Sequence, residues 1–349
     1  MRVRSQLEGF WRVMAFDRYT GQGWEVSRAE SLINLGRSPL SYRFVTVRPR
    51  AMGPTREVVQ TFTMVQDFQN LVPVLYAPES VYFPADELSM DAEGALRPSG
   101  PLPEGLTYTV VSRVPLRNAE RLKQSSTDYS EPIRQHYLQI PADIRDSVRA
   151  ETQRWLATAE TPLTTPYEQA TFLAQVLREN YTIETDLPFF EEGEDLVSAF
   201  LFKYNGGGRD QFSTVLTMML RSIGIPARLA TGCGPGQFNP FTGFHIVRNT
   251  DAYALTEVYF PNQGWFYFSP IPNSRLLSPN SGSTNPFTVL RQLWELLEGA
   301  LPAPIAGALQ RSFQAILGLI GFLLRFLGRF NGQGWLSVVW WAVGLTGAS

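Results

Sequence analysis

Reactive residue types are scarce in this chain. One cysteine, Cys233, stands in 349 residues. That excludes an internal disulfide and any multi-cysteine metal site. The only two histidines, His136 and His245, are too few for a site of three imidazoles. No metal and no other cofactor is expected. The chain also lacks a charge surplus: 30 basic against 32 acidic residues leave a net charge of −2. A nucleic-acid partner is therefore not expected. The opening MRVRSQLEGFWRVMAF has an early basic pair but no continuous apolar run, so a secretory leader is not expected in it. No internal repeat is found. The last 19 residues, Asn331 to Ser349, contain no charge at all.

What is present is a folded composition, 44% apolar and 18% charged, with length for about two domains. Residues 1–115 read as a β-rich domain. TFTMV, VPVLYA, SVYFP and YTVVS are short runs of β-branched and aromatic residues between Pro- and Gly-bearing turns. Helical spacing begins later, in IPADIRDSVRAETQRWLA and, more regularly, in PYEQATFLAQVLREN. Residues 116–277 are taken as a second domain and the polar, turn-rich stretch at 278–287 as a linker. An apolar region at 288–349 follows. Within it, 331–349 carries three Trp and nearly the ~20 residues a membrane helix needs, and a membrane partner is expected through it. A buried C-terminal helix is the alternative. Arg325 and Arg329 inside the preceding apolar run suit an interfacial amphipathic helix.

The central segment is the most regular. From Asp210 to Ile223, the apolar residues Phe212, Val215, Leu216, Met219, Leu220 and Ile223 recur at helical intervals and predict one buried stripe. Gly206-Gly207-Gly208 precedes it, allowing a sharp turn or a close approach. Gly224 and Pro226 end it. Strands are predicted in ARLATG, AYALTEVYF and GWFYF, with a turn from Pro261 to Gly264. The implied fold class is α+β, a helix packed on an antiparallel sheet.

This order of parts resembles the transglutaminase-like superfamily, the papain-like fold of cysteine proteases with a Cys/His/Asp triad. GIPAR at Gly224–Arg228, Thr231-Gly232, the Asp-Ala-x-Ala frame at Asp251–Ala254 and Gly264-Trp265 carry the resemblance. FWRVMAFDRYTGQGW, YLQIP and DLVSAFLF are similar to the bacterial membrane-anchored members. The resemblance implies a β-rich domain ahead of the catalytic one and a globular part outside the cytoplasm. It also implies membrane helices on both sides, so the chain is expected to start at an internal Met or to be a fragment.

At the three positions where that family carries its nucleophile, base and acid, this chain has Arg209, Tyr253 and Ser269. A guanidinium stays protonated and is no nucleophile. A phenol with a pKa of about 10 is a poor base at neutral pH. Arg209 at a helix N-terminus is also unfavourable by roughly 0.3–1 kcal/mol. The expectation is a pseudoenzyme acting as a binding or scaffolding module, with a protein or peptide ligand in the former cleft. Two arrangements of the slot are open. Arg209 either bonds to Asp210 or Tyr253 as a polar plug, or joins Gly207, Gly208, Asp210 and Tyr253 in an anion pocket.

An active acyl-transfer enzyme, for crosslinking proteins to amines or hydrolysing peptide bonds, would have to use Cys233, with His245 from an adjoining loop as its base. A structural subunit of a membrane complex is the third reading. Elsewhere, NGGGRD lacks the Gly-Lys-Ser/Thr of a phosphate loop. The acidic cluster Phe189 to Asp195 reads as a solvated loop, His136 as a surface residue, and NPFTG (Asn239 to Gly243) as a turn.

Overall fold

Strand after strand of the first 115 residues finds its partner far away in sequence. The computed structural model describes residues 1–38, 41–46, 53–184 and 193–272. The linker at 278–287, the apolar region 288–349 with its expected span, and residues 189–192 of the acidic cluster lie outside the described residues. No described helix is long and apolar enough to cross a membrane.

The strands used below are β1 (Arg2–Ser5), β2 (Trp11–Phe16), β3 (Gly36–Arg37), β4 (Arg43–Val45), β5 (Thr55–Thr63), β6 (Pro78–Tyr82) and β7 (Thr107–Pro115). Helices α1 (Ala142–Leu156), α2 (Pro166–Asn180) and α3 (Arg209–Ser222) follow. The chain then forms β8 (Ala227–Cys233), β9 (Gln237–Asn239), β10 (Phe244–Ile246), β11 (Ala252–Phe260) and β12 (Gly264–Phe268).

Two sheets organise these parts. The larger runs β9-β10-β1-β5-β7-β6-β4-β3 and the smaller β12-β11-β8-β2. Each takes a piece from the other half of the sequence. β2 pairs antiparallel with β8 in the smaller sheet, and the β9–β10 hairpin pairs with β1 in the larger one. All the described residues fall in one compact unit, and strands cross the 115/116 boundary in both directions.

Alternation sets the faces of the larger sheet: Val58, Gln60 and Phe62 of β5 are buried while Glu57 and Val59 are exposed. VPVLYA does not form the expected strand. Val72 and Val74 are buried and make only isolated bridges to Leu96 and Arg12, because Pro73 supplies no N–H for a ladder.

α3 is the central helix. Its stripe of Phe212, Val215, Leu216, Met219 and Leu220 is fully buried among α1, α2 and the inner face of β11 and β12. Gly224 takes φ +84° just past its end. Arg221, in the last turn, donates to the carbonyls of Ala227, Gln139 and Asp17. α2 begins with a reciprocal cap between Thr165 and Glu168. Asn262 and Gly264, at φ +62° and +93°, make the expected turn between β11 and β12.

Candidate functional site

The N-terminus of α3 is seated by close approach. Gly206 and Gly207 pair parallel with Thr182 and Ile183. A Cβ on Gly207 would lie 2.1 Å from Gln211 Oε1 and 2.7 Å from the Phe200 ring, so only glycine fits. The Gly208 N–H donates to Gln211 Oε1 at 3.0 Å. Those glycines thus serve packing and the helix cap. Gly207 is buried, and the Gly208 amide already has its partner.

Hydroxyls fasten the helix to β11. Ser213 Oγ donates to the Ala254 carbonyl at 2.8 Å, and Thr256 Oγ1 donates to the Ser213 carbonyl at 2.9 Å. Thr217 Oγ1 donates to Thr256 Oγ1 at 3.2 Å. Residues 209, 213 and 217 share one side of a helix. Arg209 therefore sits one turn beyond Ser213, over the start of β11 where Tyr253 lies. Its charge acts on Tyr253, but burial outweighs it and pushes the phenol up to about 12.

Arg209 is not a plug. It is exposed, as is Asp210, and makes no hydrogen bond or ion pair with a described residue. The Asp210 carboxylate hangs over Gly208, so the helix N-terminus carries its own anion. Tyr253 is half-buried, with its ring 5.1 Å from that of Phe10 and close against Gly234.

An open cleft of about 850 Å³ lies here. Val13, Thr231, Gly232, Cys233, Ala252, Tyr253 and Ala254 form its floor. Asp210 and Asn249 stand on its walls with the segment Gln66, Asp67, Phe68 and Gln69. Sequence reading gave no sign of that wall or of Val13. Gln66 Nε2 donates to Asn249 Oδ1 at 3.5 Å, and Asp67 accepts the Glu104 N–H at 2.9 Å. Ser269 is not part of the lining. It follows β12, one residue past the last pair Thr256–Phe268, and its carbonyl accepts from Arg178 Nη1 at 2.5 Å.

Cys233 lines the cleft, but His245 does not meet it. Cys233 ends β8 in the smaller sheet, whereas His245 is on β10 in the larger. His245 is no exposed loop residue. It is 4% exposed, against Trp11 and Phe238, and its Nδ1 has no partner among the described residues. Burial raises the Cys233 thiol above its usual value, with Asp251 adding to it, and lowers His245. Both shifts oppose a thiolate–imidazolium pair. His136 is likewise not free at the surface: its Nδ1 is 3.6 Å from the buried Asp17 carboxylate. Among the described residues no group of three His, Cys, Asp or Glu converges to hold a metal ion.

Beside the cleft's sheet runs a buried charge network that no local pattern announced. Arg228, from the Gly-Ile-Pro-Ala-Arg turn, meets Glu257 at 2.5 Å and Glu93 at 2.8 Å, with Trp265 stacked 4.1 Å from its guanidinium. Arg12 adds a contact to Glu257 at 3.2 Å and Arg28 one to Glu93 at 2.6 Å. Tyr137 donates to Glu93. These residues tie the first segment to the smaller sheet.

Comparison with known proteins gives matches over both segments. Residues 154–270 match the transglutaminase-like superfamily core, and residues 1–119 match the TgpA N-terminal domain. The uncharacterized protein YebA of Bacillus subtilis is 25% identical over 79% of this chain and 37% of its own length. The protein-glutamine gamma-glutamyltransferase of Pseudomonas aeruginosa is 26% identical over 76% of this chain and 36% of its own. The chain thus spans little more than a third of these relatives. The crystal structure of the periplasmic domain of TgpA from P. aeruginosa superposes with a TM-score of 0.55 at 21% identity, covering 77% of this chain and 86% of that one. The same domain bound to ethylmercury gives 0.53 at 21%, over 77% and 88%. These likenesses show the fold.

Proposed function

The chain carries a transglutaminase-like core domain behind a TgpA N-terminal domain, and on that premise we propose that its former active site is a degenerate cleft that binds a peptide without turning it over. The observation that carries this is Arg209. A side chain that stays protonated occupies the first turn of α3, exposed and without a described partner, next to Asp210 of the cleft wall and near enough to Tyr253 for its charge to act there. Tyr253 beside it is protonated at any physiological pH. A carboxylate is missing from the third position, Ser269. The cleft floor is mostly apolar and its walls carry amides and carboxylates, which suits an extended polypeptide whose backbone needs hydrogen-bond partners.

Cys233 on the cleft floor favours the acyl-transfer reading. Against it stand its raised pKa and the placement of His245 in the other sheet. Membrane attachment through 331–349 and an extracytoplasmic location belong to the same proposal. The uncharged terminal segment supports the first, and the periplasmic origin of the matched P. aeruginosa domain supports the second.

The test is amine incorporation by the purified full chain, using a glutamine-bearing peptide and a biotinylated primary amine. The expected result is no product above that of Arg209→Ala and Cys233→Ala. Turnover that either substitution abolishes overturns the proposal.

A further inference from the structure

We propose that the outward face of β1 and the β9–β10 hairpin rests on an anionic lipid surface, with Phe241 entering the headgroup layer. Phe241, at the hairpin tip, is 80% exposed; Tyr42 follows at 54% among the large exposed apolar side chains described. The tip is held rather than loose. Asn239 Oδ1 accepts the N–H groups of Phe241 and Thr242 at 3.0 and 3.2 Å. The Gly243 N–H donates to the Asn239 carbonyl at 2.8 Å, and Arg4 Nη2 donates to the Thr242 carbonyl at 3.1 Å. A large ring is thus presented to solvent by a tight, fastened turn.

Its surroundings are cationic. Arg2 lies opposite Ile246 in the ladder. Val3 and His245 point inward, so Arg2, Arg4, Phe244 and Ile246 share the outward face. The Arg4 guanidinium lies 4.6 Å over the Phe244 ring. Arg248, exposed, continues β10. Arg2, Arg4 and Arg248 form no ion pair with a described residue. The nearby Asp251 carboxylate accepts the Arg248 backbone N–H at 2.7 Å. A convex apolar tip with unpaired guanidiniums set behind it matches an anionic interface. The charges meet phosphodiester headgroups while the ring sits at the acyl boundary. A protrusion does not form the pocket that receives a partner's side chain, which argues for lipid over a protein. The proposal does not depend on what the cleft does.

The experiment uses the full chain with Phe241→Cys in a Cys233→Ala background, labelled at the introduced thiol with an environment-sensitive fluorophore. Phosphatidylglycerol-containing vesicles are expected to raise and blue-shift its emission, and pure phosphatidylcholine vesicles to leave it unchanged. Replacing Arg2, Arg4 and Arg248 together by Gln should weaken the response roughly a hundredfold, at about fivefold per guanidinium. Emission unmoved while the protein sediments with the vesicles would mean that the apolar C-terminal segment binds alone, and overturns the proposal. So does an equal response to both vesicle types. A response to polyglutamate without lipid assigns the face to an acidic polypeptide, and one that grows with protein concentration alone assigns it to a second copy. Either result overturns it too. If the labelled variant fails to fold, Phe241→Asp in the otherwise unaltered chain, a position outside the core, must reduce sedimentation with the anionic vesicles. Unchanged sedimentation counts against the proposal.

Discussion

Replacing Glu93 by Gln should cost the protein about 3–5 kcal/mol, the usual penalty for removing one partner of a buried ion pair. Glu93 is 2% exposed. It holds Arg28 at 2.6 Å and Arg228 at 2.8 Å, and accepts from Tyr137 at 3.1 Å. Glutamine keeps the volume, so no cavity confuses the measurement. What changes is the balance: three guanidiniums, Arg12, Arg28 and Arg228, then face the single carboxylate of Glu257. Two of these cations, Arg12 and Arg228, are 2% and 3% exposed, so water cannot replace the lost charge. With a urea slope of about 3 kcal/mol per M, the midpoint should fall by about 1 M or more. Arg28→Met should cost less, since the Arg28 side chain is 31% exposed. Burial alone would raise the Glu93 pKa, but Arg228 and Arg28 outweigh it and hold the carboxyl below its usual range. Its contribution is therefore complete above the unfolded value of about 4.3 and is lost as pH falls through the depressed one. The gap between the parent chain and Glu93→Gln should stay constant from pH 8 to about 5 and narrow below. A loss under about 1 kcal/mol, or a gap that widens in acid, would refute this account of the network.

Three further outcomes are expected. Gly232→Ala puts a Cβ 2.3 Å from the Trp11 carbonyl and 2.9 Å from Arg12 Cα, both backbone atoms of β2; it should cost about 1–3 kcal/mol and lower the melting temperature, and an unchanged melt would show that β2 does not lie so close. Cys233 should react with iodoacetamide at pH 8 more slowly in the native chain than in urea, since burial raises its pKa; faster native labelling would revive it as a nucleophile. His245, with a folded pKa below the unfolded value of about 6.5, binds its proton more readily when unfolded. Stability should fall as pH drops through that range, and His245→Phe should flatten the dependence, whereas an identical pH profile would rule His245 out as its source.

Local pattern carried the core helix and its strands well. The stripe from Phe212 to Leu220 and the stop at Gly224 predicted α3, and β8, β11 and β12 followed from the apolar runs ARLATG, AYALTEVYF and GWFYF and one turn. Where partners are distant, pattern failed. Nothing in Phe244–Ile246 says that it pairs with residues 2 and 3, so His245 was read as a loop residue when it is a buried strand residue. VPVLYA has a strand's composition, but Pro73 supplies no ladder N–H and the segment makes only two isolated bridges. The site divided in the same way. Arg209, Tyr253 and Ser269 were found by counting along the family frame; of the three, Tyr253 lines the cleft, and Arg209 adjoins it through Asp210. The cleft's far wall at 66–69 comes from the irregular segment after β5 and had no signal. Arg12, Glu93, Arg228 and Glu257 each resemble an ordinary surface charge until the fold brings them together.

The central claim is that a triad scaffold persists with its chemistry replaced. The most direct measurement is amine incorporation by the full chain carrying Arg209→Cys, Tyr253→His and Ser269→Asp together, beside the unsubstituted chain. The account predicts turnover in the substituted chain, an introduced thiol that alkylates readily below pH 7, and no turnover in the parent. A folded triple variant whose thiol reacts no faster than a free cysteine and yields no product would contradict it, as would turnover by the parent itself.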